Sequence, residues 1–312
     1  PLLFLLFIND LPLAVSNKLA LYADDSKCFK EIITVMDCVS LQRDIECMYD
    51  WGNTWSMIFN PDKCKILRFS RQRNPVKFTY KMVDTVLETV SEFTDLGVLA
   101  DRHLTFNYHV QNIISRANSA LGFIKRSVGF HAPPNVKKML YLTLVSSKLE
   151  YCSIVWSPYT HNLISSIEKI QRRASKYILN DYSTNYRIRL MQCSLLPLSY
   201  RREILDLCFL FRCFLGYYDI DINKYIKSPH PSLRSTSQYK LQPEKCQTTT
   251  FKNFFFQRIV HIWNRLPVTT RSLRICPNVS FVTFKKSILS HYHYLLCDKF
   301  DPENIYTWYT PC

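Results

Sequence analysis

A change of hydrophobic rhythm near residue 104 constrains the fold of this chain most. Before it, short apolar runs alternate with turn residues; after it, apolar residues recur every three or four positions. Period 2 marks half-buried strands and period 3.6 marks amphipathic helices. Upstream, Val39, Leu41, Ile45, Met48, Trp51, Trp55 and Ile58 trace one helix that Asn60 and Pro61 close. Residues 66–69 read as a strand, 78–90 as a hairpin and 93–99 as a further strand, together an antiparallel sheet with helical cover. Downstream, helical stripes run through Val110, Ile113, Ala117, Leu121 and Ile124, through Val136, Met139, Leu140 and Leu144, through Ile164, Ile167, Ile170, Ala174 and Ile178, and through residues 198–215. The fold class this predicts is α+β. Residues 1–100 form the mixed part and 101–227 the helical part. Residues 228–250, rich in Ser, Thr, Pro and Gln, form a linker. Residues 251–312 form a small unit cored by Phe254, Phe255, Phe256 and Trp263.

Within the mixed part, Tyr22, Ala23, Asp24 and Asp25 set two adjacent carboxylates between short apolar runs, the layout of a hairpin tip. Two like charges side by side are costly until something neutralises them. A hard divalent cation with oxygen ligands does so, most often Mg²⁺ shared with nucleotide phosphates. Surface turns also use Asp freely, and that reading stands beside the catalytic one.

Several segments in order resemble the reverse transcriptase of non-LTR, LINE-like retrotransposons, closest to the jockey group. Residues 1–12, PLLFLLFINDLP, resemble the segment after the family's Gln-Gly template-contacting motif, and LYADD at 21–25 its catalytic motif C. WSMIFNPDKCK at 55–65 is similar to motif D, FTDLGV at 93–98 to the strand beyond it, and YCSIVW at 151–156 and residues 256–267 to C-terminal segments.

The resemblance implies a partial polymerase palm, an antiparallel sheet with helices, followed by an α-helical thumb and C-terminal extension. It implies an RNA-directed DNA polymerase, a nucleotidyltransferase that extends a DNA primer on an RNA template with dNTPs. Asp24 and Asp25 would ligate two Mg²⁺ ions, which Mn²⁺ can replace. Lys63 would stabilise departing pyrophosphate, with a solvated turn lysine as its other reading. Tyr22 and Ala23 would sit beside the primer terminus, unless Tyr22 packs on the palm as an ordinary strand residue. Phe93, Leu96 and Gly97 would position the primer, and Arg172, Arg173 and Lys176 would follow backbone phosphates. The family's third aspartate, on an earlier palm strand, lies outside this sequence. Asp10 follows an apolar helix and caps it or opens the next turn. The expectation is therefore a fragment, inactive alone and completed by an N-terminal part of the same polyprotein. Other readings are a non-catalytic nucleic-acid-binding remnant and a domesticated interaction protein.

Composition agrees. A net charge of +15 and a pI near 9.3 suit a polyanionic partner. Five glycines without a Gly-x-Gly or Gly-Lys-Ser/Thr element argue against dinucleotide and P-loop chemistry. Twelve scattered cysteines without a Cys-x-x-Cys pair read as reduced thiols; Cys276, His291, His293 and Cys297 lack a known zinc spacing. The opening apolar run is too short for a membrane helix and lacks the basic start of a signal peptide; it reads as a buried palm helix. The expected setting is intracellular, a ribonucleoprotein of cytoplasm and nucleus, with no membrane and no targeting signal.

Overall fold

The computed structural model describes residues 2–227, 239–274 and 279–304. The chain divides into two compact units, Pro1–Leu104 and Thr105–Cys312.

In the first unit, α1 (Leu2–Ile8) and a 3-10 turn (Leu11–Ala14) lead into an antiparallel hairpin of β1 (Lys18–Tyr22) and β2 (Asp25–Phe29). The opening helix is not buried among the described residues: Leu2, Leu3, Leu5 and Leu6 are exposed and only Ile8 is covered. α2 (Val35–Thr54) starts on a capping box, with Thr34 and Asp37 each bonding the other's backbone amide. Its apolar face feeds two small cores. One gathers Ile8, Leu11, Met48 and Trp51 against hairpin residues Leu19, Leu21 and Cys28; the other gathers Cys38, Ile45, Tyr80, Met82 and Leu87.

The helix ends before Asn60-Pro61, at Thr54. The Met57 amide donates to the Gly52 carbonyl at 2.7 Å and the Ser56 amide to Asn53 at 3.3 Å, with Ser56 at φ 55°. This is a Schellman cap with serine in the place glycine usually takes. A Cβ on Gly52 would lie 2.6 Å from the Met57 carbonyl oxygen, so the fold-back needs glycine there.

The expected single antiparallel sheet is absent among the described residues. Instead there are four two-stranded sheets. β3 (Lys65–Leu67) pairs in parallel with β6 (Glu88–Val90), around a small hairpin of β4 (Lys81–Met82) and β5 (Thr85–Val86). The predicted strand over 93–99 breaks into a hairpin of β7 (Glu92–Asp95) and β8 (Val98–Asp101). Leu96 at φ 45° and Gly97 at φ 82° form its two-residue turn, which requires positive φ at both positions. Strands of two to five residues are too short to build one wide ladder.

The second unit is helical: α3 (Asn107–Val128), α4 (Pro134–Leu140), a π-helical stretch (Tyr141–Ser146), α5 (Ser147–Glu150), α6 (Ser153–Trp156), α7 (His161–Leu179), α8 (Tyr186–Gln192) and α9 (Leu198–Phe214), then α10 (Thr249–Asn253), α11 (Phe255–Arg265), α12 (Val268–Arg271) and α13 (Phe281–Asp298). The stripe Ile164, Ile167, Ile170, Ala174 and Ile178 is fully buried on α7. Each of the four isoleucines contributes about 1.5–3 kcal/mol. α11 and α13 both pack on α9. There Phe211 stacks on Phe284 with centroids 3.9 Å apart, and Trp263 lies 6.0 Å from Phe284. Of the expected Phe254–Phe255–Phe256–Trp263 core, all but Phe254 are buried.

Candidate functional site

The hairpin that carries Asp24 and Asp25 has register Tyr22↔Asp25, leaving Ala23 and Asp24 as its two-residue turn. Ala23 takes φ 51°, the left-handed value that a tight primed turn demands at its first position. Asp24 and Asp25 are exposed, and Tyr22 is 65% exposed rather than packed on the sheet. Below the tip, Leu19, Leu21 and Cys28 anchor the hairpin to Met48 and Trp51 of α2.

Asp44 fixes how that hairpin leaves the helix, a role the sequence reading did not assign. The residue is 1% exposed. Its carboxylate accepts from the backbone amides of Ser16 (2.8 Å) and Asn17 (3.0 Å) and from Asn17 Nδ2 (2.5 Å), so it clamps the approach to β1. Cys28 Sγ lies 3.8 Å from it, and burial first, then the Asp44 charge, pushes that thiol up to about 11. The signal was an acid inside the apolar stripe of α2, between Leu41 and Met48. Asp10 likewise has a structural duty, opening the 3-10 turn and accepting the Trp51 indole N–H at 3.1 Å.

A second hairpin stands beside the first. Lys27 Nζ on β2 meets Asp95 Oδ1 on β7 at 2.5 Å. Both side chains are more than a third exposed, so the pair contributes about 0–1 kcal/mol and serves mainly to set geometry. It links β2 to β7, whose hairpin carries Phe93 (42% exposed) and Leu96 (39% exposed). Lys63 is exposed on a separate turn whose hydrogen bonds close on itself: the Lys63 amide donates to Asn60 (3.1 Å) and the Cys64 amide to Pro61 (3.1 Å).

In the helical unit, Arg172, Arg173 and Lys176 line a basic cavity of about 680 Å³ together with Lys169 and Arg189. They are not equally free. Arg172 bonds the Pro302 carbonyl, lies 3.3 Å from Glu303, and covers the Tyr186 ring at 5.0 Å; Arg173 bonds Asn118. Beneath them, buried Glu168 accepts from Tyr186 Oη (2.5 Å) and the Leu198 amide (3.0 Å), and burial raises its pKa. This network holds α7, α8 and α9 together, and its carboxylate is out of reach of solvent.

Among the described residues, no three His, Cys, Asp or Glu side chains gather to hold a metal, and no helix is long and apolar enough to cross a membrane. None of the ten described cysteines forms a disulfide; Cys276 lies outside the described residues.

Two curated proteins of Drosophila melanogaster are similar to this chain. The "Probable RNA-directed DNA polymerase from transposon X-element" is 25% identical over 187 residues, 57% of this chain and 20% of that protein. The "RNA-directed DNA polymerase from mobile element jockey" is 25% identical over 122 residues, 36% of this chain and 13% of that protein. The chain is related to LINE-like, non-LTR reverse transcriptases. The matched stretches span a fifth or less of those polymerases' own length. No family model matches the chain, and no solved structure does.

Proposed function

We propose that this chain is a segment of an RNA-directed DNA polymerase in which the Asp24–Asp25 hairpin supplies part of the nucleotidyl-transfer site. One observation carries the reading: in a relative of such polymerases, two adjacent carboxylates stand solvent-exposed on a tight turn whose base is clamped by Asp44. The donor set fits the group this implies. Mg²⁺ is held through one or two carboxylates plus substrate phosphates and water, and Asp24 and Asp25 present such oxygens. When bound there, two Mg²⁺ ions neutralise the triphosphate and favour the ionised primer 3′-hydroxyl. Around them, the Leu96–Gly97 turn and Phe93 border the primer, exposed Tyr22 faces its terminus, and Lys63 offers a mobile ammonium for pyrophosphate charge. The partners are an RNA template, a DNA primer and dNTPs, in a ribonucleoprotein setting.

Two carboxylates do not complete a two-metal site, and among the described residues no third ligand joins them. The 312-residue chain alone is therefore expected not to extend a primer. Mg²⁺-dependent dNTP incorporation by the purified chain, abolished by Asp24→Ala, overturns that expectation.

The basic cavity beside α7 favours a second reading, metal-independent nucleic-acid binding. Lys169 and Lys176 line it while Arg172 and Arg173 are engaged within the protein, so the lysines carry most of the phosphate contact. Filter binding of RNA with and without EDTA separates the two. Retention unchanged by EDTA, falling steeply with salt and weakened by Lys169→Ala/Lys176→Ala, supports this reading; EDTA-sensitive retention supports the metal site alone.

A further inference from the structure

A second cavity of the helical unit, about 320 Å³, is walled by α9, α10, α11 and the turn after α6. Its wall contains a buried cation, Arg202, whose charge acts on the buried carboxylates Glu168, Glu203 and Asp206 but whose terminal nitrogens make no hydrogen bond. Arg202 is 3% exposed, yet neither Nη1 nor Nη2 donates a hydrogen bond to any described group, and Ser199 Oγ, 1% exposed and one helical turn away, is also unpaired. Buried donors left unmade are costly, and charged ones most of all. The neighbouring carboxylates feel its charge but accept no hydrogen bond from these nitrogens. Asp206 takes both oxygens to Arg258, at 2.9 and 3.0 Å, while Glu203 accepts Tyr292 Oη at 2.6 Å and lies 4.0 Å from Arg265.

The charge at the wall identifies what would fill the cavity. Arg202, Lys252, Arg258 and Arg265 face Glu203 and Asp206, an excess of two positive charges. A phosphomonoester carries about −1.5 to −2 at neutral pH, whereas an internal phosphodiester carries only one charge. The planar arginine fork matches phosphate oxygens two at a time, and a serine hydroxyl adds a third donor. The volume lies at the small end of ligand pockets. Tyr159, 40% exposed, lines the same cavity and offers a ring on which a base can stack.

We propose that this cavity binds the terminal phosphomonoester of a nucleotide, the phosphate meeting Arg202 and Ser199 and the base lying on Tyr159. The site is independent of Asp24 and Asp25, and its ligand is either the phosphorylated end of a nucleic-acid strand or a free mononucleotide. Desolvation lifts Glu203 to about 7, and burial lowers the pKa of His261, so the carboxylate charge is trimmed while the imidazole adds none.

The test uses the full chain and a short fluorescent RNA with or without a 5′-phosphate, followed by anisotropy, with AMP as competitor. The 5′-phosphate is expected to tighten binding about tenfold, the scale of a charge-assisted hydrogen-bond pair. Arg202→Met should bring that ratio to about one while leaving the 5′-hydroxyl strand's affinity unchanged; because Arg202 also offsets the buried charge of Glu168, Glu203 and Asp206, the melting temperature is expected to fall. Ser199→Ala, a milder change, should lower the ratio about threefold and keeps the test decisive where Arg202→Met fails to fold. AMP that displaces the phosphorylated strand assigns the site to mononucleotides; AMP that does not assigns it to strand ends, and either upholds the phosphate site. Equal affinity for both strands in the native chain with no binding of AMP overturns it, as does a preference that survives both substitutions.

Discussion

Two sets of acidic side chains, one in each unit, stand in opposite environments. The Asp24–Asp25 pair stands in water on a hairpin tip, anchored below by a core of four buried residues. Glu168, Glu203 and Asp206 are at most 4% exposed, each tied to tyrosine hydroxyls, a backbone amide or arginine. An exposed unpaired carboxylate costs little and stays available to an outside cation; a buried one is stabilised only by fixed partners and is committed to the fold. The exposed pair is thus open to an outside ligand while the buried carboxylates are committed to the fold, a contrast that substitutions can break at either end.

The largest effect is expected in the helical unit. Trp263 is fully buried, donates its indole N–H to the Tyr239 carbonyl at 2.8 Å, and packs on Phe214 and Phe284. Trp263→Ala should cost about 3–5 kcal/mol in urea unfolding followed by helical circular dichroism. A loss below about 1 kcal/mol would mean that α9, α11 and α13 do not share one tightly packed core.

Glu203 sharpens the same contrast through pH. Its folded-state value is raised from 4.5 to about 7, first by desolvation, so folding favours the neutral carboxyl. The associated stability is fully present below about pH 4.5 and is lost as pH rises through 7, to a total of about 3 kcal/mol at one pKa unit per 1.4 kcal/mol. Glu203→Gln should therefore unfold at higher urea than the native chain at pH 8 and match it near pH 4.5. Parallel pH profiles for the two would show that the carboxyl is not held as described.

In the first unit, Asp44→Ala strips acceptors from the Ser16 and Asn17 amides and should cost about 2 kcal/mol. Hydrogen exchange over residues 18–29 should accelerate while α7 remains protected. Uniform acceleration would instead mark Asp44 as a general stability residue with no special hold on the aspartate hairpin.

What could be read from sequence followed from how local the determinants were. The aspartate hairpin, the α7 stripe and α9 depend on neighbours a few residues apart, and periodicity displayed them. The Leu96–Gly97 turn was missed because alternation through Phe93, Asp95 and Val98 looks like one strand, and only positive φ at two successive residues divides it. The parallel β3–β6 pair joins residues across an intervening hairpin, a partnership that period-2 patterning does not encode. Arg202 and Ser199 were invisible for another reason: each is a polar residue whose meaning comes from burial against distant elements, whereas Asp44 left a signal as an acid inside an apolar stripe. The order of motif-like segments carried the relationship to polymerases where no single spacing did.

The smallest expected effect tests the hairpin itself. Ala23 adopts φ 51°, where a Cβ crowds the backbone, and Ala23→Gly removes that strain while enlarging the unfolded ensemble. The two effects oppose, leaving a net gain of no more than about 1 kcal/mol. If the turn is tight because it must hold Asp24 and Asp25 together, the glycine variant should be slightly more stable yet bind Mn²⁺ more weakly by paramagnetic broadening of the hairpin resonances. Equal broadening in both proteins would show that the aspartates need only proximity in sequence, and the strained alanine would then have no part in presenting them.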